Sequence, residues 1–198
     1  GAVIAMDPRR GDRKGLFDIG ISGPLAGLVP TLIFTVVGLS LSRPVEWTPS
    51  EQGGGGMLLG DPLLFQWLMP LVCEPIPEGY QLVLHPMAFA GWVGLLITAL
   101  NLMPIGQLDG GHILYGLLRE KAHVVAQMLL FGAIAAVIWN FETLGMWTLM
   151  LFLLLLMGPN HPPTANDNVR LGPLRTVLGW LTLAFIPIGF TPTPIIMP

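Results

Sequence analysis

The sequence predicts an all-helical integral membrane protein, a polytopic bundle of about five transmembrane helices with one interfacial or re-entrant segment. Hydrophobic residues make up 53% and charged residues only 11% of its 198 residues, and the mean hydropathy is +0.69. Uncharged apolar runs recur at lengths near the roughly 20 residues that a helix needs to cross a bilayer core of about 30 Å. Basic residues concentrate on one side of the resulting topology.

The predicted spans follow one another along the chain. In order, they run over residues 20–41, 86–105, 122–139, 143–157 and 176–190, the last two being shorter and partly interrupted. Between the first two spans lie a four-glycine run at residues 53–56 and an apolar patch from Pro62 to Val72. Because this patch is too short to cross a bilayer, it is predicted to lie at the interface or to re-enter it.

The basic residues set the predicted orientation. If the residues before Gly20 are cytoplasmic, eight of the nine Lys and Arg residues fall on the cytoplasmic side and Arg43 alone falls outside. These eight are Arg9, Arg10, Arg13, Lys14, Arg119, Lys121, Arg170 and Arg175. The positive-inside rule predicts such a bias for a correct set of spans. The expected location is a bacterial cytoplasmic membrane, and this orientation places Asp109 toward its cytoplasmic side.

The overall charge excludes one class of partner. A net charge of -3 is opposite in sign to the basic surface that nucleic acid binding requires. The single cysteine, Cys73, excludes an intrachain disulfide and a Cys-based zinc site. The sequence indicates no particular oligomeric state.

The segment N-L-M-P-I-G-Q-L-D-G-G-H, residues 101–112, holds the candidate site. Asp109 lies in or near the membrane, where a carboxylate costs about 2.5–3.5 kcal/mol and usually faces a cavity, a partner or an ion. Pro104 breaks the preceding helix, while Gly110 and Gly111 allow close backbone approach after the carboxylate. An alternative is that Asp109 only caps the helix that follows.

Two motifs resemble the site-2 protease family of intramembrane zinc metalloproteases. The pattern N-x-x-P-x-x-x-L-D-G-G, from Asn101 to Gly111, resembles one family signature, and F-D-I-G-I-S-G-P-L-A-G, from Phe17 to Gly27, resembles another. The resemblance implies that Asp109 is the third zinc ligand. It also implies that Asn101 holds the substrate backbone or polarises the scissile carbonyl, although an interhelical hydrogen bond would explain this Asn equally well.

The residues Gly23, Pro24 and Gly27 are expected to have a structural role. Gly23 and Gly27 form a G-x-x-x-G pair, and Ser22 with Ala26 forms a second small pair, so another helix can approach closely. Pro104, Gly110 and Gly111 are likewise assigned to the backbone of the site. These residues would build the site rather than take part in the chemistry.

The chain departs from the family in one respect, since it contains no H-E-x-x-H motif. The resemblance places that motif before the first signature, so we expect it upstream of Gly1. Residues 1–157 would then form the membrane core without its catalytic helix, and residues 158–198 a connecting loop and the last span. His112 is a weak alternative ligand. The simpler interpretation of His112, and also of His85, His123 and His161, is a hydrogen bond to backbone or water.

The resemblance thus predicts an intramembrane metalloendopeptidase that hydrolyses membrane-spanning or membrane-near substrates with zinc. The lipid bilayer and a transmembrane protein or peptide are its expected partners. The chain alone should be inactive, because one carboxylate cannot form a three-ligand site. A catalytically inactive pseudoprotease, acting as a membrane scaffold or binding module, is the alternative. A transporter would need further intramembrane charges, which the predicted spans lack.

Overall fold

The computed structural model describes residues 11–46 and 58–196 and is mostly helical. Its helices are α1 (Arg13–Leu41), α2 (Leu63–Val72), α3 (Pro86–Asn101), α4 (Asp109–Leu118), α5 (Lys121–Trp139), α6 (Phe141–Leu144), α7 (Thr148–Met157), α8 (Pro173–Ala184) and α9 (Ile186–Gly189), with a 3-10 turn at Gly145–Trp147. Its strands are β1 (Arg43–Glu46), β2 (Leu58–Leu59), β3 (Tyr80–Val83) and β4 (Ile195–Ile196). The four-glycine run at residues 53–56 lies outside the described residues.

The helices agree in part with the predicted spans. Within the described residues, α1 with 29 residues and α5 with 19 are long and apolar enough to cross a membrane by length and composition. The other apolar helices are shorter. The mostly helical fold is consistent with the predicted fold class, whereas the number of spans stays a prediction.

Local sequence explains why the other runs are shorter than predicted. The second run ends as a helix at Asn101, after 16 residues, because Pro104 disfavours helical geometry in the residue before it. The fourth run contains the 3-10 turn before α7 begins at Thr148. The fifth run divides between α8 and α9. The apolar patch forms the 10-residue helix α2, which is too short to cross a bilayer, in agreement with the prediction.

The chain folds into two compact units, and their boundaries fall inside α1, after Ala26, and inside α3, after Thr98. The unit formed by Gly27–Thr98 and the residues from Pro187 onward is organised by contacts between small residues. A Cβ on Gly94 would lie 2.5 Å from Thr31 Oγ1, and Cβ atoms on Gly91 and Gly38 would collide with the backbones of Thr35 and Ala88. These contacts run in opposite directions along α1 and α3, so the two helices cross antiparallel.

Short strands complete this unit. β1 pairs antiparallel with β3, with Arg43 opposite Val83 and Glu46 opposite Tyr80. β2 pairs antiparallel with β4. The indole Nε1 of Trp92 donates a hydrogen bond to the carbonyl of Gly60 over 2.8 Å, which ties α3 to the segment that precedes α2. The all-helical prediction therefore omitted two small sheets.

The other unit consists of the described residues up to Ala26 together with Ala99–Ile186. Phe17, fully buried on the first turns of α1, fills the space left by Gly116 on α4 and Gly179 on α8. Asp18 and Arg175 form a bidentate ion pair at the surface, with distances of 2.8 and 2.9 Å. A second cluster joins α5 and α7 around Leu130, Leu151 and Leu154. This unit holds Asp109.

Candidate metal centre

A tight turn between α3 and α4 places Asp109. Asn101 is the last residue of α3, and the backbone N–H of Met103 donates to the carbonyl of Leu100. Pro104 is buried in the turn. Gly106 adopts the left-handed conformation with φ of 58°, which glycine enters without steric cost. The turn thus carries the chain from the end of one helix directly into the next.

Asp109 is the first residue of α4, and Leu108 occupies the N-cap position without a side-chain hydrogen bond. Asp109 therefore does not occupy the N-cap position that the alternative interpretation of the sequence assigned to it. It lies near the positive end of the helix dipole, which favours a negative charge by about 0.3–1 kcal/mol. Its side chain is half-buried, and burial raises its pKa above the ordinary range.

Gly110 and Gly111 let the first turn of α4 pack directly on the preceding backbone. A Cβ on Gly110 would collide with the carbonyl of Leu102, and one on Gly111 with the carbonyl of Gly106. Both glycines are buried. The L-D-G-G pattern therefore fixes the position of Asp109 relative to the turn, because no residue with a Cβ fits at either position.

The start of α1 forms one wall of the site. A Cβ on Gly20 would lie 2.6 Å from the Cβ of His112, and a Cβ on Gly23 would lie 3.5 Å from the Oδ2 of Asp109. Gly20 is buried, whereas Gly23 is exposed. Gly20 of α1 thus lies beside His112, and Gly23 lies beside Asp109.

The predicted close-packing face of α1 is open in the part of the chain that the structure describes. Ser22, Gly23 and Ala26 are exposed and Pro24 is buried. Apart from the neighbouring backbone of α1 itself, no described atom lies within 4 Å of a Cβ built on Gly27. Packing of another helix on this face stays a prediction. Around Asp109, tight contacts to described residues are made instead by Gly20, Gly110 and Gly111.

A histidine network, which the sequence did not reveal, lies one turn beyond Asp109. His112 is 2% exposed and His161 is 8% exposed. The Nδ1 of His112 and the Nε2 of His161 lie 2.8 Å apart, and the two rings meet edge to face. The Nε2 of His112 is buried and has no hydrogen-bond partner in the part of the chain that the structure describes. Burial lowers the pKa of His112 to about 4, and the adjacent His161 adds to this shift.

The chemistry of these residues fits zinc only in part. A half-buried carboxylate at a helix start is a suitable oxygen ligand. However, in residues 11–46 and 58–196 no group of three or more His, Cys, Asp or Glu side chains could hold a metal ion. The described residues therefore supply one predicted ligand, Asp109, and a complete site needs ligands from elsewhere.

Comparison with known proteins identifies the family. The sequence model of Peptidase family M50 matches residues 1–139. The "Probable zinc metalloprotease EGY1, chloroplastic" of Arabidopsis thaliana is 28% identical over 97% of this chain and 35% of its own length. The "Probable zinc metalloprotease EGY2, chloroplastic" of Oryza sativa subsp. indica is 27% identical over 92% of this chain and 34% of its own length.

A third relative carries a different name. The "DDT domain-containing protein PTM" of Arabidopsis thaliana is 31% identical over 73% of this chain and 8% of its own length. No solved structure matches the chain. The chain spans about a third of the length of the metalloproteases it matches. The match over most of its residues shows that the chain belongs to Peptidase family M50, the site-2 protease family.

Proposed function

We propose that this chain forms part of an intramembrane zinc metalloendopeptidase that hydrolyses peptide bonds of membrane-spanning or membrane-near substrates. The observation that carries the proposal is the placement of Asp109. Its carboxylate is half-buried at the start of α4, is not used as a helix cap and lies beside Gly23. Membership of family M50 and relatives named as zinc metalloproteases support the reaction class.

Asp109 is the proposed zinc ligand, and the other two ligands come from residues outside this sequence. A bound zinc ion would polarise the scissile carbonyl and lower the pKa of a water molecule. Asn101, at the end of α3, is the proposed substrate-binding residue, because an amide donor can bond to a substrate carbonyl. The L-D-G-G turn keeps the carboxylate at a fixed place on α4, so the ligand is in position before the metal binds.

The open face of α1 is the proposed docking place for the helix that carries H-E-x-x-H. Ser22, Gly23 and Ala26 are exposed small residues, and small residues let helices in a membrane approach closely. Gly23 also lies next to the carboxylate of Asp109. A helix packed here would bring its side chains close to that carboxylate, as a shared metal site requires.

The proposed location is a membrane, with the lipid bilayer and a transmembrane protein or peptide as partners. The two long apolar helices are consistent with this location. The relatives named as zinc metalloproteases are also named as chloroplastic, so they do not favour the bacterial cytoplasmic membrane predicted from the sequence. We propose that Asp109 lies toward the membrane face that carries most basic residues.

Cleavage of a labelled transmembrane peptide by the complete protein in lipid nanodiscs tests this proposal. Asp109→Asn should lower the rate at least about 100-fold, since removing a catalytic zinc ligand removes the site. Asp18→Asn is the matched control, because Asp18 is an exposed carboxylate in an ion pair with Arg175. Wild-type activity in the Asp109 variant would overturn the proposal. The isolated 198-residue chain should be inactive.

A catalytically inactive pseudoprotease, acting as a membrane scaffold or binding module, is the second candidate. The observation that motivates it is the similarity to the DDT domain-containing protein PTM, a relative named for a domain rather than for a reaction. This candidate predicts that the complete protein neither contains stoichiometric zinc nor cleaves peptides, and that Asp109→Asn leaves binding of a membrane partner unchanged. Metal analysis of the purified complete protein separates the two candidates.

A further inference from the structure

The segment from Pro159 to Gly172, the return loop, lies along one face of α4. The Tyr115 hydroxyl donates a hydrogen bond to Asp167 over 2.8 Å, and Arg119 Nη2 donates one to Asn168 over 3.3 Å. The His112–His161 contact is the third in this row. Residues at spacings of three and four share one face of a helix, so the loop follows α4 from its first turn to its end. It is therefore more than a connector.

His161 is held in a single orientation by its neighbours. Its Nδ1 lies 2.6 Å from the carbonyl of Pro162, which can only accept, so Nδ1 carries the proton. The ring stacks in a tilted arrangement on Tyr115, with centroids 4.8 Å apart. The Nε2 of His123 donates to the backbone carbonyl of His161 over 2.9 Å.

This orientation fixes the direction of the next hydrogen bond. Because the Nδ1 of neutral His161 donates, its Nε2 is an acceptor, and the Nδ1 of His112 must donate to it. The proton of His112 is then on Nδ1, and its Nε2 lone pair faces the interior without a donor among residues 11–46 and 58–196. The hydrogen bonds thus run in one direction, from His112 through His161 to Pro162.

Stability alone does not explain His112. A buried polar atom without a partner costs about 1–3 kcal/mol, and an apolar side chain of similar size would avoid this cost. His112 is 2% exposed and its Cβ is pressed against Gly20. His112 instead forms a directed bond to His161, and this bond fixes the rotation of the first turn of α4. Asp109 lies on the same turn, three residues earlier.

We propose that His112 and His161 are positioning residues that set the orientation of Asp109 through the first turn of α4. This inference rests on the proposed function, in which Asp109 binds zinc. His112 acts through the helix backbone, and His161 anchors His112 from the return loop. Replacing a residue that bonds directly to a metal ligand typically changes metal affinity by about 10- to 100-fold, and an effect that acts through one helix turn should lie near the lower end, about 10-fold.

Zinc affinity of the complete protein in nanodiscs, measured by competition with a chelator, tests the proposal. His161→Phe keeps an aromatic ring but removes the acceptor, and it should weaken zinc binding about 10-fold. It should also lower kcat more than it raises KM, and alter the absorption spectrum of the cobalt-substituted protein. His161→Gln, whose amide oxygen can accept from His112, should recover most of the affinity.

Two variants separate positioning from general support of the fold. Tyr115→Phe removes the bond to Asp167 and should lower stability without changing zinc affinity or the cobalt spectrum. Asn168→Ala removes the exposed contact with Arg119 and should leave both unchanged. Full zinc affinity in His161→Phe, or an equal loss in Tyr115→Phe, would overturn the positioning role alone. Absence of zinc from the unmodified complete protein would overturn the proposed function, and this inference with it.

Discussion

Two side chains on α4, one turn apart, have opposite environments. Asp109 is half-buried and lies beside the open face of α1 at Gly23. His112 is 2% exposed, presses against Gly20 and shares a hydrogen bond with His161. The proposed ligand thus lies at a partly open position, while the packing that fixes its helix involves the residues that follow it, from Gly110 to His112.

The largest expected effect comes from Gly110→Ala, which would disrupt both environments. A methyl group there collides with the carbonyl of Leu102, which is backbone and cannot move aside cheaply. Overpacking costs about 1–3 kcal/mol and occasionally more, and we expect the upper end or failure to fold. Thermal unfolding of the purified protein measures this, and an unchanged Tm would contradict the packing described at the first turn of α4.

The second largest effect should be the pH dependence of stability that comes from His112. Its folded pKa of about 4 lies below the ordinary value of 6.5, so the unfolded state binds the proton more tightly. The contribution of His112 to the free energy of unfolding should therefore be constant above about pH 6.5 and should fall as the pH drops toward 4. His161 adds a shift in the same direction, because burial also lowers its pKa.

His112→Gln supplies the control for this pH series. The glutamine amide can still donate to His161 but does not titrate, so the variant should lose less stability between pH 6.5 and 4. Urea unfolding at pH 7 and at pH 5 measures the difference. An identical pH dependence in the variant and the wild type would contradict the buried, neutral state assigned to His112.

The smallest effects should distinguish the two glycines of α1. Gly20→Ala places a methyl group 2.6 Å from the Cβ of His112 and should cost about 1–3 kcal/mol. Gly23→Ala makes only an ordinary 3.5 Å contact with Asp109, and alanine favours a helix over glycine by up to about 1 kcal/mol. In this chain it should be neutral or slightly stabilising. Equal destabilisation by both changes would remove the distinction between the two environments.

Sequence identified the parts of the site that depend on local chemistry. Asp109, Pro104 and the two following glycines stand in one short pattern, and a turn followed by a helix start is what such residues favour. Membership of family M50 confirms the resemblance drawn from that pattern. The metal and substrate roles of Asp109 and Asn101 stay predictions.

The return loop could not be predicted in the same way. His112 and His161 are separated by 49 positions, and neither has a spacing that marks a pair. The loop's prolines and polar residues predict a connector, and only the fold shows that its side chains bond to α4. The short strands were missed because pairs such as Leu58–Leu59 with Ile195–Ile196 carry no periodic signal of their own.

The zinc content of the complete protein, purified in detergent, for the wild type and for Asp109→Asn tests the role of this carboxylate most directly. We predict one zinc ion per wild-type protein and loss of tight zinc binding in the variant. Because a bound ion stabilises the folded state, Tm is compared after zinc has been removed from both proteins, and the two values should then differ by less than about 2 °C. Full zinc content in Asp109→Asn, or none in the wild type, would contradict the role assigned to this carboxylate.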